Sequence, residues 1–205
     1  MSGPLRAMNK PLPHRLIFIR HGETDWNVES RLQGQQDMPL NGRGRDQARA
    51  VGATVRDWRG PELAGLEFIA SPLIRTCDTM RIARAAMGLD PTAFETDARL
   101  MELTFGRWEG LTWEELKAID PWAAKAREGD KWSFTPPDGE SYAMLAERLR
   151  PWLATITGET VVVSHGGVAR VLMALIGGIA TNKAPLMDVH QGRALIYEGG
   201  ACRWL

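Results

Sequence analysis

The sequence contains few cysteines, no long apolar run and no excess charge of either sign. Its two cysteines, Cys77 and Cys202, match neither a metal-ligand nor a redox spacing, which argues against a disulfide framework and favours a reducing compartment. The most apolar stretch, 171–180, is too short to cross a bilayer. The 25 basic side chains balance 25 acidic ones, so no global field attracts nucleic acid or an anionic membrane. We therefore expect a cytoplasmic protein with neither nucleic-acid nor membrane partners.

Within those limits, the chain has the composition of an ordinary globular protein. Of its 205 residues, 44% are hydrophobic and 24% are charged, which excludes disorder over the whole chain. A chain of this length buries most of its apolar surface without a disulfide or a metal. We predict a flexible tail at residues 1–13, which contain three prolines, and a single domain over residues 14–205. Residues 112–140 concentrate tryptophans between prolines and glycines, and they are predicted to form a lid-like insertion.

Short apolar runs alternate with segments of helical periodicity. The runs at 16–19, 66–70 and 160–163 predict strands, and the first has four bulky residues without alternation, as in a strand buried on both faces. The runs at 194–197 and 201–205 predict a closing pair around two glycines. This alternation predicts an α/β fold, a three-layer α/β/α sandwich with a mostly parallel central sheet. Helices are predicted at 43–58, 73–87, 141–156 and 168–176.

Three of the predicted strands end in polar turns, which begin at Arg20, Ser71 and Ser164. Ligands of open α/β sheets bind beyond the carboxyl ends of the parallel strands, where helix N-termini add N–H groups and positive dipole ends. Such a pocket suits a doubly charged tetrahedral anion, and phosphate is the obvious candidate. Arginine offers permanently charged planar donors, and a neutral imidazole can attack phosphorus. If these strands are neighbours, one crevice receives Arg20, His21, Arg75 and His165.

Arg75 carries a local conflict that favours a functional role. It begins a predicted helix, where a cation opposes the helix dipole, and a bound anion would offset that unfavourable placement. Arg43 and Arg170 lie in comparable early-helix positions and carry the same conflict.

Other chemistries find little support in the residues. No arginine lies six residues after either cysteine and no two aspartates lie two residues apart, so thiolate and aspartyl phosphatase motifs are absent. Ser141 lies in a near match to a nucleophile elbow, but prolines and not a strand precede it, so an N-cap role fits better. From chemistry alone, Glu102 and Glu109 are equal candidates for a proton donor.

Ordered sequence blocks resemble the histidine phosphatase superfamily, whose founding members are cofactor-dependent phosphoglycerate mutases. The resemblance extends from Leu16 to about Tyr197. Its first block is Arg20-His21-Gly22-Glu23-Thr24, followed by Asn27, and its last is Ser164-His165-Gly166-Gly167. The blocks between them, in family order, are 40–44 with 47–48, 71–73 with 75–76, 100–102 with 105–106 and 108–110, and 139–141.

The resemblance implies a role for each matching residue. His21 would be the phosphorylated nucleophile and Glu102 the proton donor, which leaves Glu109 as a structural partner. It also implies that no metal is used. We expect no cofactor, a small phosphorylated substrate as the partner, and a monomer or a homodimer. Phosphoryl and substrate contacts are implied for Arg20, Arg75, His165, Asn27, Thr24 and Gly166.

The expected function is hydrolysis of a phosphomonoester, a small phosphorylated metabolite, through a phosphohistidine. Residues 102–110 resemble the phosphatase branch, whereas the mutases typically carry Arg-His-Tyr-Gly after that glutamate and have longer chains. Residues 139–141 also fit small phosphatases that resemble α-ribazole and broad-specificity phosphatases. One alternative is a cofactor-dependent phosphoglycerate mutase. Another is a non-catalytic phospho-ligand binding module, although intact His21 and Glu102 argue against it.

Overall fold

The computed structural model describes residues 12–205, so the tail predicted at 1–13 lies outside the described residues apart from its last two. Six strands form one sheet in the order β3-β2-β4-β1-β5-β6. Strands β1 to β4 pair in parallel, whereas β5 runs antiparallel to both β1 and β6. The sheet is therefore mostly parallel, as predicted. In chain order the strands are Leu16–Arg20 (β1), Glu67–Ala70 (β2), Glu95–Thr96 (β3), Thr160–Ser164 (β4), Ala194–Glu198 (β5) and Ala201–Trp204 (β6).

Four of the helices correspond to the predicted ones, but two ends differ by more than one residue. The helix predicted to reach Ile156 ends at Leu153, with Ala154 as its C-cap, and the start of the last helix also differs. It was predicted at Val168 but begins at Gly166, because the extended His165 accepts the Ala169 N–H at 3.0 Å and closes a turn over the glycines. Ser141, the predicted N-cap, accepts a backbone N–H bond in the first turn of its helix. The α-helices within residues 12–205 are Asp25–Val28 (α1), Gly42–Arg59 (α2), Ile74–Ala86 (α3), Trp113–Ile119 (α4), Pro121–Gly129 (α5), Tyr142–Leu153 (α6) and Gly166–Leu175 (α7).

Helices cover both faces of the sheet, and β1 shows why its sequence does not alternate. Leu16 and Phe18 pack in the cluster that includes α6 and α7, whereas Ile17 and Ile19 pack in the cluster that includes α2 and α3. All four side chains are at most 1% exposed. Burying each of them contributes about 1.5–3 kcal/mol relative to exposure. The predicted sandwich is therefore confirmed, with one hydrophobic cluster on each side of the sheet.

Two short helices, α4 and α5, occupy most of the segment predicted to be an insertion. A small cluster of their own includes Trp108, whose ring stacks on that of Phe134 with the centroids 5.5 Å apart. Trp132 instead packs in the main core, and Trp122 is 78% exposed. The lid role of this segment stays a prediction. Within residues 12–205 no helix combines the length and apolar character needed to cross a membrane.

Candidate active site

The carboxyl ends of β2, β4 and β1 lie side by side. Arg20 pairs with Ser164 across β1 and β4, and the hydrogen bonds continue past the strand ends. His21 N donates to Ser164 O at 2.9 Å, and Ser71 N donates to Val163 O at 3.0 Å. The three polar turns therefore meet in one crevice, where the ring centroids of His21 and His165 are 5.3 Å apart.

The His21 ring is buried and held in one tautomer. Its Nδ1 lies 2.7 Å from the Gly22 carbonyl oxygen, which can only accept, so Nδ1 carries the proton. Nε2 therefore keeps its lone pair, and it makes no hydrogen bond within residues 12–205. Burial and the positive charges of Arg75 and Arg20 hold the pKa of His21 well below its ordinary value. The ring is thus neutral and has one nitrogen free to act as a nucleophile.

The two arginines are anchored by backbone carbonyls. Arg75 is completely buried, and its Nη1 and Nη2 donate to the carbonyls of Gln36 and Gly34 at 2.6 and 2.8 Å. Arg20 donates from Nη1 to the Val189 carbonyl at 2.9 Å. In the described chain neither guanidinium forms an ion pair, and both Nε atoms are buried without a partner.

The absence of a carboxylate partner on either arginine matters for binding. Burial, together with the charge of Arg170, lowers the pKa of Arg20 to about 10. An unpaired charge in a buried site costs several kcal/mol, and a bound anion offsets that cost. Arg20 and Arg75 are therefore preorganised to receive an anion, and each has an Nε–H still to donate.

His165 is held through Ser71, a residue of the second polar turn whose role was not predicted from the sequence. Its Nε2 lies 2.8 Å from Ser71 Oγ, and its Nδ1 is buried without a partner among the described residues. If the Ser71 hydroxyl donates to Nε2, the proton sits on Nδ1 as a donor for a phosphoryl oxygen; the reverse arrangement would leave a lone pair facing the anion. Burial and the nearby cations, Arg75 first, hold the pKa of His165 well below its ordinary value. Ser71 follows β2 directly, as His21 follows β1. This position at the end of a parallel strand is the sequence feature that could have predicted its role in the site.

Glu102 lies against the first turn of α7. Its Oε2 accepts the Gly167 N–H at 3.0 Å, and its Oε1 accepts the Leu103 N–H at 3.0 Å. A Cβ atom on Gly167 would lie 2.3 Å from Oε1, so only glycine allows this approach. The carboxylate is thereby placed beside the same helix terminus that follows His165.

Glu109 has a different environment. Its carboxylate accepts bonds from two backbone N–H groups, those of Gln35 and Phe105, and from the side chains of Thr104 and Gln36, at 2.8 to 3.1 Å. These bonds tie the loop at 104–105, which precedes a short 3-10 helix at Gly106–Trp108, to the loop at 35–36. The geometry therefore favours Glu102 over Glu109 as the proton donor, a choice that chemistry alone left open.

The remaining predicted contacts lie around the same crevice. Thr24 caps α1, and its hydroxyl also accepts from Gln33 Nε2 at 2.8 Å, so its side chain is used structurally. Asn27 Oδ1 accepts from Thr24 N and from Gln191 Nε2. The side-chain NH2 group of Asn27 makes no hydrogen bond among the described residues, so it is free to donate. Gln191, which also donates to the His21 carbonyl, was missed because it lies far away in the sequence. Gly166 is the first residue of α7 and borders Arg20.

A neutral imidazole beside two guanidinium groups that lack carboxylate partners is equipped for phosphoryl transfer through a nitrogen nucleophile. That chemistry and the mostly parallel sheet define the class of protein. The family described as the histidine phosphatase superfamily (branch 1) matches residues 16–205. The chain therefore belongs to the histidine phosphatase superfamily.

Known relatives include both phosphatases and mutases. The glucosyl-3-phosphoglycerate phosphatase of Mycobacterium tuberculosis is 37% identical over 176 residues, which are 79% of this chain and 74% of that protein. The 2,3-bisphosphoglycerate-dependent phosphoglycerate mutase of Methylobacterium radiotolerans is 31% identical over 193 residues, 89% of this chain and 88% of the mutase. A solved mycobacterial glucosyl-3-phosphoglycerate phosphatase in complex with VO3 matches with a TM-score of 0.78 at 32% identity, over 94% of this chain and 96% of that one. These similarities confirm the predicted family, the fold and the class of phosphoric monoester hydrolase.

Proposed function

We propose that this protein hydrolyses a small phosphorylated metabolite through a phosphohistidine on His21. One observation carries the proposal: the Gly22 carbonyl holds the proton on Nδ1, so the Nε2 lone pair is free beside two guanidinium groups without carboxylate partners. The low pKa of His21 keeps that lone pair available at neutral pH.

In the first step Nε2 of His21 attacks phosphorus in line with the ester oxygen. The N–P bond forms, the P–O bond to the leaving group breaks, and Glu102 in its protonated form donates a proton to the leaving oxygen. The positive charge that develops on the ring is shared with the Gly22 carbonyl through Nδ1–H. Arg20, Arg75 and the Nδ1–H of His165 stabilise the phosphoryl oxygens, and the amide of Asn27 and the N–H of Gly166 add donors.

In the second step water frees the phosphate. Glu102, now a carboxylate, takes a proton from water as its oxygen attacks phosphorus, and the N–P bond to His21 breaks. This returns the enzyme to its starting state with a proton on Glu102. The same residue thus serves as acid and then as base.

The reaction as proposed needs neither a metal nor a cofactor. Within residues 12–205 no three histidine, cysteine, aspartate or glutamate side chains are grouped so as to hold a metal ion. We place the activity in a single domain, residues 14–205, of a cytoplasmic monomer or homodimer, with residues 112–140 acting as a lid that selects the substrate. The names of the relatives suggest glucosyl-3-phosphoglycerate as the first substrate to test.

The second candidate function is phosphoglycerate mutase activity, which the similarity to the Methylobacterium radiotolerans mutase favours. The two functions share the first step and differ in the acceptor. A phosphatase passes the phosphoryl group to water, whereas a mutase returns it to a retained substrate.

The deciding experiment is a panel of phosphomonoesters assayed for released phosphate, with and without EDTA. The panel contains p-nitrophenyl phosphate, glucosyl-3-phosphoglycerate, α-ribazole 5′-phosphate and 3-phosphoglycerate. We expect hydrolysis that survives the chelator. Activity that disappears and returns only with a divalent ion would refute the metal-free mechanism, and faster transfer to 3-phosphoglycerate than to water would establish the mutase.

A matched pair of histidine variants tests the nucleophile. His21→Ala should lose turnover by about a thousand-fold or more and should no longer retain labelled phosphate after rapid denaturation. His14→Ala, which changes an exposed histidine, should behave as the wild type. Labelled phosphate on the His21→Ala protein would contradict the assignment.

A further inference from the structure

Arg170, in the second turn of α7, is positioned by the same loop that positions Arg20. Arg170 Nε donates to the Met187 carbonyl at 2.9 Å, and Arg20 Nη1 donates to the Val189 carbonyl at 2.9 Å. Two carbonyls, two residues apart, therefore hold two guanidinium groups next to each other. Side chains on a helix lean toward its N-terminus, so Arg170 extends back over Gly166.

The missing side chain of Gly166 opens the space between these two cations. A Cβ atom on Gly166 would lie 3.3 Å from Arg170 Nη1 and 3.7 Å from Arg20 Nε. Arg170 therefore borders the phosphoryl pocket directly. The next residue, Gly167, contacts Glu102, the proposed donor to the leaving oxygen. The leaving group must start beside Glu102, and Arg170 lies over the same helical turn.

Arg170 has no carboxylate partner within residues 12–205, and its surroundings are also positive. Arg127 of α5 lies over the rings of Phe105 and Trp113, 5.6 and 5.3 Å from their centroids, and likewise forms no ion pair among the described residues. Burial and the charge of Arg170 lower the pKa of Arg127. Burial and the charges of Arg127 and Arg170 lower the pKa of Lys131. Arg170 and Arg127 therefore both carry a charge that no carboxylate of the described residues neutralises.

We infer that Arg170 binds a second anionic group, a carboxylate or a phosphate, on the leaving group of the substrate. The inference rests on the proposed phosphatase function, because it places the leaving group relative to His21 and Glu102. Arg170 is then a specificity-determining residue: it selects doubly anionic esters over esters with a neutral leaving group. A guanidinium suits both anions because its planar donors match either in bidentate geometry.

The test compares esters that differ only in the second charge. One pair is 3-phosphoglycerate and glycerol 3-phosphate, which differ by a carboxylate; the other is the bisphosphate and the monophosphate of propane-1,3-diol. Wild-type kcat/KM should be higher for the doubly anionic member of at least one pair, and that pair identifies the anion. Arg170→Gln should lower kcat/KM for that ester by about 10- to 100-fold, the range of a charge-assisted hydrogen bond, and by less than about three-fold for its partner.

Further variants and a binding measurement keep the outcome decisive. Arg170→Lys keeps the charge and should retain part of the preference, and Arg45→Gln, which changes an exposed arginine of α2, should leave it unchanged. Calorimetric dissociation constants for the two esters of each pair report the preference even if turnover is absent, which separates failure of this inference from failure of the proposed function. Equal losses for both members of each pair, or no wild-type preference in binding, would overturn the inference.

Discussion

Replacing Gly167 by alanine should damage proton donation without damaging the fold. The added Cβ would lie 2.3 Å from Glu102 Oε1 and 2.3 Å from Leu103 Cδ2. Nonbonded heavy atoms reach their optimum at about 3.5 Å, so the carboxylate or the start of α7 must move by about 1 Å. A displacement of that size in a catalytic group costs about 100-fold in rate. We therefore expect kcat for an alkyl phosphate ester to fall about 100-fold.

The choice of ester separates a displaced acid from general damage. An aryl ester such as p-nitrophenyl phosphate needs little protonation of its leaving group, so the phosphorylation step should slow much less with it. Thermal unfolding should show that Gly167→Ala is folded, since alanine has the higher helix propensity by about 1 kcal/mol. The matched control is Gly42→Ala, at the first residue of α2, where a Cβ atom would meet nothing within 4 Å. It should have wild-type activity.

A double-mutant cycle identifies the group that moves. If Gly167→Ala acts by displacing Glu102, the combination with Glu102→Gln should be no slower than Glu102→Gln alone, because residues in contact are not additive. Losses that multiply in the double variant would show that the alanine acts elsewhere. Alkyl-ester turnover of Gly167→Ala within about three-fold of the wild type would refute the steric argument itself.

Three further predictions follow from the same geometry. Glu102→Gln can neither donate a proton nor activate water. With an aryl ester it should therefore show a burst of aryl alcohol, then a slow steady rate, with labelled phosphate retained on His21. The absence of a burst, with equal loss of activity on alkyl and aryl esters, would assign the acid role to another residue. Ser71→Ala removes the hydrogen-bond partner of His165 Nε2, so kcat should fall about 10- to 100-fold. The ¹⁵N spectra of the variant should show a changed His165 tautomer. Unchanged ring signals would contradict the role of Ser71. Burial and the neighbouring arginines depress the folded-state pKa of His21 and His165 below the ordinary 6.5, so the unfolded chain takes up more protons below that pH. The free energy of unfolding should therefore be independent of these rings above pH 6.5. Below pH 6.5 it should fall by about 1.4 kcal/mol per pH unit for each ring, until the folded-state pKa is reached. Urea titrations at several pH values measure this slope, and His165→Gln should have a smaller slope than the wild type.

The sequence by itself determined the architecture and most of the crevice. The bulky run at 16–19 required burial on both faces, and the runs at 66–70 and 160–163 alternate with helical periodicity that predicts a covered, mostly parallel sheet. Parallel strands carry their polar turns to one edge, so the positions of His21, Arg75 and His165 followed from local pattern and topology. Each run and each polar turn is predictable because it depends on residues that are close in the sequence. That β1, β2 and β4 are neighbours, which brings the turns together, depends on pairing between distant segments. The two-residue β3 was missed because a strand that short has no periodicity.

The tertiary structure alone decided which partners each polar group has. Glu102 and Glu109 are equivalent in chemistry, and only packing places one beside the first turn of α7 and the other among four hydrogen-bond donors. The tautomer of His165 depends on Ser71, which lies 94 residues away along the chain. Arg170 was one of several early-helix arginines until the fold placed it beside Arg20 and left it without a carboxylate. Protonation, orientation and charge balance depend on contacts between distant segments, and no local pattern in a sequence records those contacts.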